Sequence, residues 1–301
     1  LASSQANAIN ELYREWLTAM AGNPDMDLET TRDLFDHWGD LTRDPAAVDY
    51  VEIDAAGVSA MWAIPKGCAD DRIALCTHGG GYVVGSMYTH RKLFGHIAKA
   101  VGCKALILDY RRAPEYTHPA QVDDAVAAYR WLLDEGYKSE YIFTTGDSAG
   151  GGLATSVLLG IRSAGLPLPA GAIPMSPWYD PEATGATLTS NADKDSLVNA
   201  QVLQGMATTF LGDASAQDPL ANLLYADLKG LPPIYIQVGS YEALLDDSIR
   251  FETKAREAGI DIRVDVFPEM QHVFQLMAGR APEADDAIAK MAQWIKPKLG
   301  L

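Results

Sequence analysis

Cysteine is scarce in this sequence. Cys68, Cys76 and Cys103 form an odd, scattered set with no C-x-x-C pair. That excludes a disulfide framework and a cysteine zinc site. They read as free, buried thiols of a reducing cytoplasm. Positive charge is short as well: 24 Lys and Arg stand against 40 Asp and Glu, a formal net charge of −16. Nucleic acids and anionic membrane surfaces select basic patches, so this balance speaks against both as partners. No apolar run approaches the ~18 residues of a membrane span. The opening stretch LASSQANAINELYREW is polar and helical and lacks a signal-peptide apolar region. H-E-x-x-H is absent, and His90 and His96 are six residues apart, a spacing that does not put both on one helical face. The phosphate-cradling patterns G-x-x-x-x-G-K-[ST] and G-x-G-x-x-G are missing too. No metal and no organic cofactor is expected.

What the chain does have is length and apolar content: 301 residues, 48% hydrophobic. A chain of that size buries about three quarters of its unfolded surface. Two amphipathic helices open it. Ile9, Leu12, Tyr13, Trp16, Leu17 and Met20 form a helical stripe, and Leu28, Leu34, Phe35, Trp38 and Leu41 suggest a second, with Asn23-Pro24 between them. From about residue 48 the pattern changes. Segments 48–55 and 57–65 read as strands joined by a tight turn at Gly57. Apolar strands at 73–78, 104–110, 141–146, 170–176, 233–239 and 262–268 then alternate with helical stretches near 89–100, 119–135, 149–164, 245–258 and 283–298. Eight strands in βα alternation predict a mostly parallel α/β sheet flanked by helices. A long excursion at about 180–230, with a helical stripe from Leu197 to Phe210, reads as an inserted lid or side structure.

Gly146-Asp147-Ser148-Ala149-Gly150 fits G-x-S-x-G and sits between a strand and a helix. That context is the one a nucleophile elbow demands; the bland alternative is a glycine-rich turn with a capping serine. A serine hydroxyl is a weak nucleophile without a base. His272 is the only histidine after Ser148, and it lies just past the last strand, at the sheet end where catalytic groups gather. The acid that orients such a histidine should follow the seventh strand, where Glu242, Asp246 and Asp247 are all available. Spacing does not choose among them. His78-Gly79-Gly80-Gly81, after the third strand, is the H-G-G-G loop of lipases and esterases. Its backbone N–H groups at Gly80 and Gly81, with that of Ala149, would bind an oxyanion unobstructed by side chains.

Taken together, HGGGYVVGS (78–86), DYRRAPEYTHPAQVDD (109–124), GDSAGGGLA (146–154), SPWYD (176–180), GSYEALLDD (239–247) and EMQHVF (269–274) give the chain a resemblance to a known family. From about residue 70 onward it resembles the bacterial hormone-sensitive-lipase-like (family IV) carboxylesterases of the α/β-hydrolase superfamily. The resemblance implies an α/β-hydrolase fold and a serine carboxylesterase acting on small apolar esters, of short to medium acyl chains, or on lactones. It implies Glu242 as the acid, with Glu in place of the commoner Asp, Ala243 in place of Pro, and Asp246 as the fallback. It also implies a small helical cap: residues 1–45 plus the insertion at about 180–230, over a catalytic domain spanning 46–301. On that reading Phe35, Trp38, Trp178, Met206 and Phe210 face the substrate, while Arg111, Pro114 and Glu115 only shape a loop. Two rivals stand beside it: an amidase using the same groups, and a non-catalytic binder reusing the pocket. The expected location is cytoplasmic, and an edge strand or terminal helix could support a homodimer.

Overall fold

The computed structural model describes residues 2–301. Eight strands form one sheet: β1 (Val48–Ala55), β2 (Val58–Pro65), β3 (Ile73–Thr77), β4 (Lys104–Leu108), β5 (Ile142–Asp147), β6 (Gly171–Met175), β7 (Ile234–Gly239) and β8 (Ile262–Phe267). Their order is β1-β2-β4-β3-β5-β6-β7-β8, with β2 antiparallel to both neighbours and the remaining pairs parallel. This is the mostly parallel sheet that the alternating pattern predicts, in the α/β-hydrolase form that the resemblance implies. The β1–β2 turn is tight because Ala56 and Gly57 both take positive φ, 57° and 85°. Two such residues twist a hairpin in the same sense as its strands. Strands β3, β5, β6 and β7 are buried along their whole length, which is why they read as unbroken apolar runs.

The helices are α1 (Asn7–Gly22), α2 (Leu28–Asp36), α3 (Met87–Val101), α4 (Ala120–Asp134), α5 (Ala149–Ser163), α6 (Thr187–Ser190), α7 (Ala200–Leu211), α8 (Leu245–Glu257) and α9 (Pro282–Ile295). Of these, α3 packs with α9 and α4 with α5, flanking the sheet. Local chemistry sets the ends. Ser86 and Thr89 close a capping box at the start of α3, and Gly102 ends that helix in the left-handed region at φ 81°. Asp27 caps α2 through Thr30 N–H at 2.8 Å.

Two helical stripes are shorter than the apolar spacing predicts. The second stops as an α-helix at Asp36 and continues as a 3₁₀ turn, His37–Leu41, where Gly39 lies against the carbonyl of Thr89. The stripe from Leu197 becomes α7 only at Ala200, because Asn199 caps that helix through Val202 N–H while Asp195 holds the N–H groups of Leu197 and Val198. Rings join the N-terminal elements: Trp16 lies 4.7 Å from Phe35 and 5.6 Å from Trp38, centroid to centroid. These elements and α7 cover the carboxyl edge of the sheet.

Candidate active site

Ser148 sits at the turn from β5 into α5 with φ 54° and ψ −121°, a conformation that costs a non-glycine residue energy. The neighbours explain how the chain gets there. A Cβ at Gly146 would stand 2.3 Å from the Gly150 carbonyl oxygen, and one at Gly150 only 2.1 Å from that of Thr77. Only glycine fits either place. The turn is pinned by Ser148 N–H to the Met175 carbonyl at 2.9 Å, and by the Ser148 carbonyl, which accepts from Gly152 and Trp178. Although Ser148 precedes a helix, its side chain makes no capping bond. Its hydroxyl lies instead 2.8 Å from His272 Nε2.

The other face of the imidazole meets Glu242: Nδ1–H donates to Oε2 at 2.9 Å. An ionised carboxylate only accepts, so the Nδ1–H tautomer leaves Nε2 as acceptor for the serine proton. Glu242 is wholly buried, and its second oxygen accepts from Ser176 Oγ at 2.7 Å and Gly239 N–H at 2.6 Å. Burial lifts the Glu242 pKa, opposed by its bonds to His272, Ser176 and Gly239. Burial alone would lower the His272 pKa; the hydrogen bond and charge of Glu242, with more distant Asp195 and Asp147, outweigh it and leave it raised. Asp246 turns elsewhere, to Arg250 Nε at 3.2 Å and to Ala186 N–H. Asp247 also faces Arg250 and accepts from the N–H groups of Tyr179 and Asp180.

The glycine loop closes the third side. Gly80 and Gly81 take φ 120° and 61°. The Gly80 carbonyl turns away to accept from Val83 and Val84, and the N–H groups of Gly80, Gly81 and Ala149 find no protein acceptor among the described residues. Gly80, Gly81, Ser148 and His272 line one cavity of about 40 Å³, walled by Phe35, Trp38, Trp178, Leu203 and Met206. Phe210 stands outside that wall. Its ring stacks on Tyr82 at 3.9 Å and meets His118 edge-on, so it packs α7 down and does not face the cavity. Arg111 is bonded to Asp124, and Glu115 to Arg32, which holds its carboxyl down at about 2. Both shape the loop that carries them.

A serine hydroxyl, an imidazole, a carboxylate and unpaired amides thus converge on an apolar pocket at the sheet's carboxyl edge. Residues 74–276 match the family of the alpha/beta hydrolase fold. An esterase from the bacterial hormone-sensitive lipase family superposes with a TM-score of 0.95 at 42% identity, covering all of both chains. The chain belongs to that family. It is 37% identical to the acetyl-hydrolase of Streptomyces hygroscopicus over 96% of its own length and 97% of that protein's. It is also 36% identical to an esterase of Acinetobacter venetianus over 72% of each. The chain is a carboxylic ester hydrolase with carboxylesterase activity. Among the described residues, no helix of this esterase is long and apolar enough to cross a membrane.

Some neighbours of the esterase's site escape a motif reading. Ser176, at φ 45°, donates to Glu242 and accepts from Val273 N–H, tying Glu242 to the loop that carries His272. Its signal is its place directly after β6 in the SPWYD motif. Tyr13 of α1 donates its hydroxyl to the backbone carbonyl of His272 at 2.9 Å and accepts from Trp38 Nε1 at 3.2 Å. Asp195, almost wholly buried, accepts from Ala243 N–H, next to the acid. No spacing rule points to either.

Proposed function

We propose that this esterase works by serine-based acyl transfer, with Ser148 as nucleophile, His272 as base and acid, and Glu242 as orienting carboxylate. Its substrates are small apolar esters of short to medium acyl chains, or lactones. His272 Nε2 takes the hydroxyl proton as Ser148 Oγ attacks the ester carbon. The carbonyl π pair moves onto oxygen, and the N–H groups of Gly80, Gly81 and Ala149 receive the resulting oxyanion. The tetrahedral species collapses, and the alcohol leaves with the proton from His272. Water then attacks the acyl-serine, giving its proton to His272, and collapse returns the proton to Ser148 Oγ and frees the acid. Amides aimed at a developing charge supply about 2.7–4 kcal/mol each in such sites.

The observation that carries this reading is the unbroken chain from Ser148 Oγ through His272 to Glu242, at 2.8 and 2.9 Å. The small cavity of about 40 Å³, with its apolar wall, supports short acyl groups. The test is a series of p-nitrophenyl esters from acetate to octanoate with wild type and Ser148→Ala. We expect the short esters to be hydrolysed fastest. The alanine variant should lose at least about 10³-fold in kcat. Turnover retained in Ser148→Ala overturns the serine mechanism, and octanoate preferred over acetate overturns the chain-length reading.

A further inference from the structure

Behind the glycine loop lies a buried polar pair that the acyl-transfer steps do not use. Asp147, the residue before Ser148, is wholly buried, as is His90 of α3. One Asp147 oxygen accepts from Gly79 N–H at 3.0 Å. The other meets His90 Nε2 at 3.1 Å. The fit at Gly79 is close, since a Cβ there would stand 2.2 Å from that second oxygen. Asp147 therefore spans both halves of the anion site. It is bonded through the chain to Ser148 and through hydrogen to the residue before Gly80.

His90 is fixed in turn. Its Nδ1 lies 2.6 Å from Thr89 Oγ1, the side chain that closes the capping box of α3. Its ring meets Trp38, a wall of the substrate cavity, edge-on at 5.4 Å. A buried carboxylate with one amide donor keeps unsatisfied acceptor capacity, and a second donor both stabilises it and selects its rotamer. With Nδ1 accepting from the Thr89 hydroxyl, His90 Nε2–H supplies that donor.

We propose that His90 is a positioning residue for the oxyanion loop, acting through Asp147. With the imidazole in place, the Asp147 side chain keeps Gly79, and with it the N–H groups of Gly80 and Gly81, at a fixed distance from Ser148. Without it, Asp147 turns, the loop loses its anchor, and the amides no longer point where the negative charge forms. The proposal rests on the serine mechanism above.

The experiment compares wild type, His90→Leu and His90→Gln on p-nitrophenyl acetate, with Ser148→Ala as reference. Each is also titrated with an alkyl trifluoromethyl ketone. Ser148 Oγ adds to the ketone carbon, its proton goes to His272, and the ketone oxygen becomes the anion held by the loop. His90→Leu should lose about tenfold to a hundredfold in kcat, a fraction of what deleting an oxyanion donor costs, with KM nearly unchanged. Its affinity for the ketone should fall by the same factor. Glutamine can place an amide N–H near the position of Nε2, so His90→Gln should return to within about threefold of wild type in both readouts. If His90→Leu does not fold, His90→Asn, whose amide falls short of Asp147, should show the same paired loss. A kcat within about twofold of wild type in the leucine or asparagine variant overturns the proposal. So does a loss that appears in KM alone, or a glutamine variant no better than leucine. An active Ser148→Ala would instead remove the underlying mechanism, so the two failures are distinguishable.

Discussion

The sheet edge that carries the polar groups and the helices that cover it are held by different kinds of contact. On the edge, Glu242 takes bonds from Ser176, Gly239 and His272, and the Ser148 turn is tied to β6 and to Trp178. Both oxygens of Glu242 and both nitrogens of His272 have partners in neighbouring loops, while the N–H groups of Gly80, Gly81 and Ala149 are left open. The cover is apolar and aromatic, built from the Trp16, Phe35 and Trp38 cluster and the side chains of α7. It meets the edge through a few polar latches. Tyr13 holds the His272 carbonyl, and Arg32 reaches the carbonyls of Val83 and Ala113. The edge holds its polar groups within hydrogen-bond reach of one another, as proton transfer requires. The cover sets shape and excludes water, for which non-directional packing suffices.

Cutting a bond within the edge should therefore cost far more than trimming the cover. The largest effect is expected at the acid. Glu242→Gln keeps the shape but favours the wrong imidazole tautomer, and kcat should fall about 10³- to 10⁴-fold. Asp246→Asn, which loses a contact to Arg250 on the far side of the loop, should stay within about threefold of wild type. The pH profile gives a second reading of the same pair. His272 must be neutral to act as base. Because Glu242 raises its pKa, the acid limb of kcat/KM should lie above the ordinary histidine value of about 6.5. Activity is lost as pH falls through that raised value. In Glu242→Gln the limb should move down, leaving burial to dominate. A large loss at Asp246 with little at Glu242 would reverse the assignment.

The two regions were also unequally legible in the sequence. The sheet could be read because four of its strands are buried on both sides and therefore unbroken in apolar character. Ser148 stands in a motif whose glycines are forced by carbonyls closer than 2.5 Å to any added Cβ. The meeting of His272 with Ser148 could be read by elimination. Which carboxylate meets His272 could not, since three share one short segment and only the fold decides which turns inward. Ser176 and Glu242 are 66 residues apart, His90 and Asp147 are 57 apart, and Tyr13 lies 259 residues before the carbonyl it bonds. Such pairs leave no periodic trace. The cover was legible as helical stripes, but its ends were not. Whether a stripe stops at Asp36 or starts at Ala200 depends on a packed glycine and a capping asparagine. An apolar stripe likewise does not say which member faces the pocket, and Phe210 packs on Tyr82 instead.

Tyr13 is a latch between the two regions, and its removal should cost less. Burial keeps the Tyr13 phenol pKa well above 10, so its proton is available across the working range. Tyr13→Phe removes the hydroxyl that donates to the carbonyl of the base and accepts from Trp38. It leaves a buried carbonyl and an indole N–H unpaired, at about 1–3 kcal/mol each in stability before relaxation. The imidazole keeps its bond to Glu242, so activity should fall only about tenfold, in kcat more than in KM. Thermal unfolding and steady-state kinetics check the two halves together. A loss as large as that of Glu242→Gln would make the cover part of the geometric machinery and erase the distinction.

The smallest effect is expected where the cover only sets shape. Met206 of α7 lies over the glycine loop, so that a Cβ on Gly81 would stand 2.7 Å from its sulfur, and it walls the cavity. It makes no directional bond to the edge. Met206→Ala should leave kcat on p-nitrophenyl acetate within about twofold, because no reacting group moves. It should open room for longer chains. Each added methylene that finds an apolar wall gains about 1 kcal/mol or a little more. The new space holds one or two of them and is partly offset by lost packing, so the hexanoate-to-acetate ratio of kcat/KM should rise about three- to tenfold. The same ester series measures it. A drop in acetate turnover without a change in chain preference would mean that Met206 braces the Gly80–Gly81 backbone, making this part of the cover an extension of the edge.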